Sequence, residues 1–128
     1  MKEPVWVLRE TVLTLQEQLL AEFGGSAGGR DEHLLDSALA RPQHLLAYGK
    51  PGLFDLAASY GFGLVKNHPF ADGNKRIGFT VAVLFLEING YRFQAPEADA
   101  VLHTLALAAG EMTEAAFAGW LKANSKRA

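Results

Sequence analysis

The chain has no cysteine, so no disulfide framework can hold it together. That suits a reducing cytoplasm, which is the expected location. No stretch reaches the ~18 consecutive apolar residues of a membrane span. The start, Met1 to Leu8, mixes charged and apolar residues without the continuous apolar run of a signal peptide. A soluble protein with no membrane partner is expected. Charge of one sign is also scarce, with 12 Lys and Arg against 14 Asp and Glu, a formal net charge of −2. Such a balance offers no broad basic surface for DNA or anionic lipid, so direct nucleic-acid binding is not expected and phosphate chemistry has to come from a local site. Repeats, low-complexity tracts and linkers are missing too. The most flexible-looking stretch, Gly24-Gly25-Ser26-Ala27-Gly28-Gly29, is too short to divide domains and reads as a loop.

What is present is enough apolar matter, 49% of 128 residues, to fill one core, and residues 1–128 are expected to form one domain. Val12, Leu15, Leu19, Leu20 and Phe23 recur at helical spacing before the glycine cluster. After it, Asp31 is placed to cap a helix bearing Leu34, Leu35, Ala38 and Leu39, with an end expected before Pro42. A third helix is predicted from about Phe54 to Val65. It carries Leu56, Tyr60 and Leu64 on one stripe, and its small residues Ala57, Gly61 and Gly63 permit close packing. The run from Ile77 to Ile88 is apolar around nearly its whole circumference and is closed by Asn89-Gly90. Its length favours a helix over a buried strand, and a helix without a polar face must be surrounded by protein. Tyr91-Arg92-Phe93 reads as extended. Pro96 suits the first turn of a helix with Val101, Leu102, Leu105 and Leu107 that ends near Gly110, and Thr113 suits the cap of a last one with Phe117, Trp120 and Leu121. The expected fold is all-α, a compact single-domain bundle of about six or seven helices around a central buried hydrophobic helix.

The chemistry gathers at the entrance to that central helix, in His68-Pro69-Phe70-Ala71-Asp72-Gly73-Asn74-Lys75-Arg76. Gly73 lets the chain turn tightly where the helix begins, leaving its first amide donors pointing outward. Lys75 and Arg76 add full positive charges in the same turn. Such a terminus favours phosphate. Asp72 is a hard oxygen ligand of the kind Mg²⁺ accepts when phosphates supply the rest, and the imidazole of His68 can take a proton from a hydroxyl. Phe70 is expected to point inward and pin the loop. Each of these residues also has a plain reading, with Asp72-Gly73-Asn74 as a turn and Lys75-Arg76 as a solvated basic pair. Lys66 is either a second phosphate contact or an ordinary surface lysine. A zinc site on His68 and Asp72 lacks further ligands, since His33, His44 and His103 stand alone and are expected at the surface or partly packed. Trp6 and Trp120 read as packing residues.

These nine residues resemble the signature of the Fic/Doc superfamily, His-x-Phe-x-Asp/Glu-Gly/Ala-Asn-Gly/Lys-Arg. The resemblance extends to Gly24-Gly25, Arg30-Asp31, Leu34-Leu35, Ser37 to Pro42 and Asn89-Gly90-Tyr91. Within the superfamily the chain is most similar to the compact death-on-curing (Doc) toxins of type II toxin–antitoxin systems. Adenylyltransferases of the Fic type carry glycine where this chain has Lys75, and a second arginine where it has Phe79. The resemblance to Doc at both positions implies transfer of the γ-phosphoryl of ATP, rather than AMP, to a protein hydroxyl. The implied acceptor is a threonine of elongation factor Tu, and the consequence is arrest of protein synthesis. It further implies His68 as catalytic base, Asp72 as ligand of Mg²⁺, and Gly73, Asn74, Lys75 and Arg76 as the phosphate-binding turn, with Lys66 and Thr80 near the nucleotide. Gln16 stands where many relatives have a histidine. No self-inhibiting pattern Ser/Thr-x-x-x-Glu-Gly/Asn occurs, so the implied restraint is a separate antitoxin whose C-terminal segment folds onto the toxin. Two other readings stay open: an adenylyltransferase and a catalytically silent binding domain.

Overall fold

The computed structural model describes residues 2–128. Six helices follow in order, α1 (Arg9–Phe23), α2 (Glu32–Tyr48), α3 (Leu53–Asn67), α4 (Asn74–Ile88), α5 (Glu97–Ala109) and α6 (Glu114–Ala123). Two short strands, β1 (Tyr91–Phe93) and β2 (Ser125–Arg127), complete the domain. The caps read from sequence are in place. The Asp31 carboxylate accepts from the Leu34 N–H at 2.9 Å, and the Thr113 hydroxyl from the Ala116 N–H at 3.0 Å. Gly110 ends α5 in the left-handed conformation. Pro96 stands one residue ahead of its expected place, as the N-cap of α5.

The middle of the bundle belongs to two helices. Like the expected central helix α4, α3 is enclosed. It buries Leu56–Gly61 and Gly63–Val65 because α2, α4 and α6 all pack on it. Small residues permit this crowding. A Cβ on Gly78 of α4 would lie 2.7 Å from Val65 Cγ2 and 3.1 Å from the Gly61 carbonyl, so the two backbones approach at a distance only glycine allows. This contact sets the axis of α4, and with it the direction in which the helix start faces.

Three features depart from expectation. First, α2 does not stop before Pro42 but runs through it to Tyr48. An interior proline costs a helix about 3 kcal/mol. Here Pro42 is itself buried, and Leu45 and Leu46 beyond it pack against the core; the apolar area gained past the proline outweighs the lost hydrogen bond. Second, α5 turns Ala100, Thr104 and Leu107 inward and leaves Val101, Leu102 and Leu105 exposed. Third, β1 is extended as expected, but its partner β2 carries no apolar alternation to announce it. The antiparallel pairing Tyr91↔Arg127, Arg92↔Lys126 and Phe93↔Ser125 is a main-chain interaction, extended at both ends by Gln94 N–H to Asn124 O and Ala128 N–H to Gly90 O.

The segment before α1 is tied down from inside. The Val7 N–H donates to the Tyr60 hydroxyl at 3.1 Å, and burial holds the Tyr60 pKa above its ordinary value. Trp6 stacks on Phe85, and Trp120 sits in an aromatic cluster with Phe79, Phe93 and Phe117, so both tryptophans are packing residues.

Candidate active site

The loop between α3 and α4 carries the motif, and each residue is placed by an identifiable interaction. Its first residue, His68, caps α3 with φ 53° and ψ 54°, the only non-glycine residue among those described with positive φ. L-residues adopt this left-handed region at a cost of roughly 1–2 kcal/mol. His68 is exposed. The Pro69 carbonyl then accepts from the Asp31 N–H at 2.8 Å, fastening the loop to the start of α2. Phe70 is buried in the core, as expected.

Asn74 closes the loop. Its Nδ2 donates to the Phe70 carbonyl and its Oδ1 accepts from the Phe70 N–H, both at 2.9 Å, and the residue is 2% exposed. The side chain is a clasp on Phe70, and the main-chain N–H of Asn74 is left at the open start of α4. Gly73, with φ 78° and ψ 14°, caps α4. The N–H groups of Asn74, Lys75 and Arg76, the first three of α4, have no intrahelical partner. They start a helix whose flanking Lys75 and Arg76 side chains are exposed. Arg76 lies over the Phe23 ring, 4.3 Å from its centroid, which steadies the guanidinium beside the helix start.

Asp72 is held from three sides. Its Oδ1 accepts from the Gly73 N–H at 2.8 Å and its Oδ2 from the Ser26 N–H at 3.2 Å, while its carbonyl accepts from Gln16 Nε2 at 2.8 Å. Each carboxylate oxygen keeps a further lone pair and the residue is exposed. Among the described residues no three His, Cys, Asp or Glu side chains gather into a metal-binding group. The donor set therefore fits a cation only as Mg²⁺ is held on nucleotides, by one carboxylate with phosphate oxygens and water supplying the rest.

The remaining predicted residues are placed less directly. The Thr80 hydroxyl donates to the Arg76 carbonyl at 2.8 Å, and Thr80 lines a cleft of about 610 Å³ with Lys75, Arg76, Phe79, Phe23 and Val101. Lys66 is engaged at the far end of α5, where its ammonium donates to the Ala108 carbonyl at 3.1 Å. His33 and His44 are exposed, and His103 stacks on Trp120 beside Asp99. Sequence reasoning missed Ser26, whose main chain meets the Asp72 carboxylate. The glycine-rich stretch around it signalled a loop but not where that loop docks.

Fold and site together define a helical domain in which the open start of α4 carries two exposed cations, with the Asp72 carboxylate beside it. The chain belongs to the Fic/DOC family, whose model matches residues 6–86 and so includes the whole motif. It is 44% identical over 90 residues to the protein named Toxin Doc of Mycolicibacterium smegmatis, a match covering 68% of this chain and 66% of that protein.

Proposed function

We propose that this protein is the toxin of a toxin–antitoxin pair, a protein kinase that transfers the γ-phosphoryl of ATP to a hydroxyl of a translation factor, elongation factor Tu, and so arrests protein synthesis in the cytoplasm. The observation that carries the reading is the start of α4, where three N–H groups without an intrahelical partner, two exposed cations and the Asp72 carboxylate lie together, with exposed His68 at the other end of the same loop. Family membership and the relative named as a toxin support it.

In this reading the helix start and the Lys75 and Arg76 side chains hold the phosphates, where the dipole and the charges act together. Asp72 would hold Mg²⁺ together with the phosphates, and the cation would supply positive charge against that developing on the leaving oxygen. His68 accepts the proton of the acceptor hydroxyl as that oxygen forms its bond to the γ-phosphorus. The bond from the γ-phosphorus to the bridging oxygen breaks, and ADP leaves with the electron pair. An adenylyl transfer is disfavoured by Phe79, which is held in the aromatic cluster of Phe93 and Trp120 where a phosphate-clamping arginine would be needed. A separately encoded antitoxin, covering the site with its C-terminal segment, completes the proposal.

The test is incubation with elongation factor Tu and ATP labelled at the α or the γ phosphorus, followed by intact mass. A gain of one phosphate with γ label is expected. A gain of AMP makes the protein an adenylyltransferase, and no gain with any translation factor sinks the enzymatic reading.

Asp72→Asn separates metal binding from loop support. The amide keeps an acceptor for one of the two N–H groups at an exposed position, so the melting temperature is expected to stay within about 3 °C of the parent, since a lost surface hydrogen bond is worth about 1 kcal/mol or less. Mg²⁺-dependent activity is expected to fall at least tenfold, because the carboxylate supplies charge the amide lacks. A large drop in melting temperature with unchanged metal dependence would assign Asp72 to the fold instead.

A further inference from the structure

Helix α1 buries only Val12 and Gln16. Gln16 is 5% exposed, and its amide is half used. Nε2 donates to the Asp72 carbonyl at 2.8 Å, while Oε1 is buried with no partner. A buried acceptor left unsatisfied works against folding, and an apolar residue of similar length would fill the same space without that defect. Packing alone therefore does not explain an amide at this position.

The donated hydrogen bond has a specific target. The Asp72 carbonyl and the Gly73 N–H belong to one peptide unit. Gln16 grips the carbonyl end, and the Asp72 carboxylate accepts from the N–H end at 2.8 Å. With glycine next in the chain, this peptide is free to rotate unless something holds it. We propose that Gln16 is a positioning residue. By fixing the Asp72–Gly73 peptide it aims the Asp72 carboxylate at a divalent cation accompanying the bound nucleotide. The inference rests on the nucleotide reading above and adds to it a group on α1 that touches neither metal nor phosphate. Partners that orient a metal ligand typically change metal affinity or activity by about 10–100-fold when removed.

The test uses Gln16→Met, which keeps length and volume but removes the donor, and Gln16→His, which restores an N–H of similar reach. Calorimetric titration with ATP is run twice, in excess Mg²⁺ and in EDTA, alongside thermal melting of the unliganded proteins. The parent is expected to bind ATP more tightly with Mg²⁺. In Gln16→Met the ratio of the two Kd values is expected to fall about tenfold, with metal-free affinity and melting temperature unchanged, and in Gln16→His to recover toward the parent ratio. A Gln16→Met protein that keeps the parent ratio overturns the inference and leaves the kinase reading intact. Weaker binding in both titrations with a lower melting temperature overturns it in favour of plain loop support. A parent that binds no ATP in either titration overturns the nucleotide reading, and the inference with it.

Discussion

Replacing His68 with glycine is expected to abolish growth arrest in bacteria expressing the protein alone, while leaving the domain at least as stable as the parent. The two halves of this expectation have different causes. Removing a positioned base typically lowers the rate of proton-coupled transfer by about 10²–10⁴-fold. His68 also occupies a left-handed position, φ 53°, that favours glycine. Relief of that strain contributes roughly 1–2 kcal/mol, and the greater freedom of glycine in the unfolded chain offsets about 0.5–1 kcal/mol of it. A melting temperature equal to the parent or a few degrees higher follows. His68→Ala, which keeps the strained Cβ, is expected to be equally inactive without the gain. Colony counts after induction, with thermal melts of the purified proteins, decide the matter. A stable His68→Gly protein that still arrests growth removes the imidazole from the chemistry, and one that melts many degrees lower shows that the imidazole supports the fold. A side chain held where glycine fits better marks a position where stability has been given up, and in the proposed reading that position is the catalytic base.

The helices were legible because their signals are local. Asp31, Thr113, Gly24 and Gly110 mark ends by side-chain or backbone chemistry that needs no partner, and those ends are found in place. What stayed hidden depends on contacts distant in sequence. Pro42 reads as a terminator until the burial of Leu45 and Leu46 is known, and Ser125–Arg127 has no strand pattern because main-chain pairing with Tyr91–Phe93 is what makes it a strand. The tight turn into α4 with two exposed cations was legible in the motif at His68–Arg76, since Gly73 ahead of Lys75 and Arg76 at a helix start is local information. The division of labour within it was not. The motif alone does not say that the Asn74 side chain turns back on Phe70, that Lys66 reaches the end of α5, or that Gln16, 56 residues away, holds the Asp72 carbonyl.

Because Asn74 acts as a clasp, Asn74→Asp is expected to be a severe change despite identical size. In the parent Nδ2 donates to the Phe70 carbonyl at 2.9 Å from a position that is 2% exposed. In the variant a carboxylate oxygen faces that carbonyl, so a donor–acceptor pair becomes two acceptors, one of them charged and buried. Both effects raise the carboxyl pKa in the folded state above the ~3.9 of an unfolded aspartate. Between the two values the folded state holds the extra proton, so stability falls as pH rises through the window and the full penalty remains above it. At pH 7 the loss is expected to be about 3–5 kcal/mol, on the order of 10–20 °C in melting temperature for a domain of this size. Toward pH 4.5 the protonated carboxyl donates to Phe70 as the amide did, and the gap to the parent narrows. Asn74→Ala, which leaves both Phe70 groups unpartnered without adding a charge, is expected to show a gap that does not change with pH. Melting the three proteins from pH 4.5 to pH 8 separates these cases. An Asn74→Asp protein as stable as the parent at pH 7 would refute the clasp, and if the same protein no longer bound ATP, the Asn74 side chain would itself be a ligand of the phosphates.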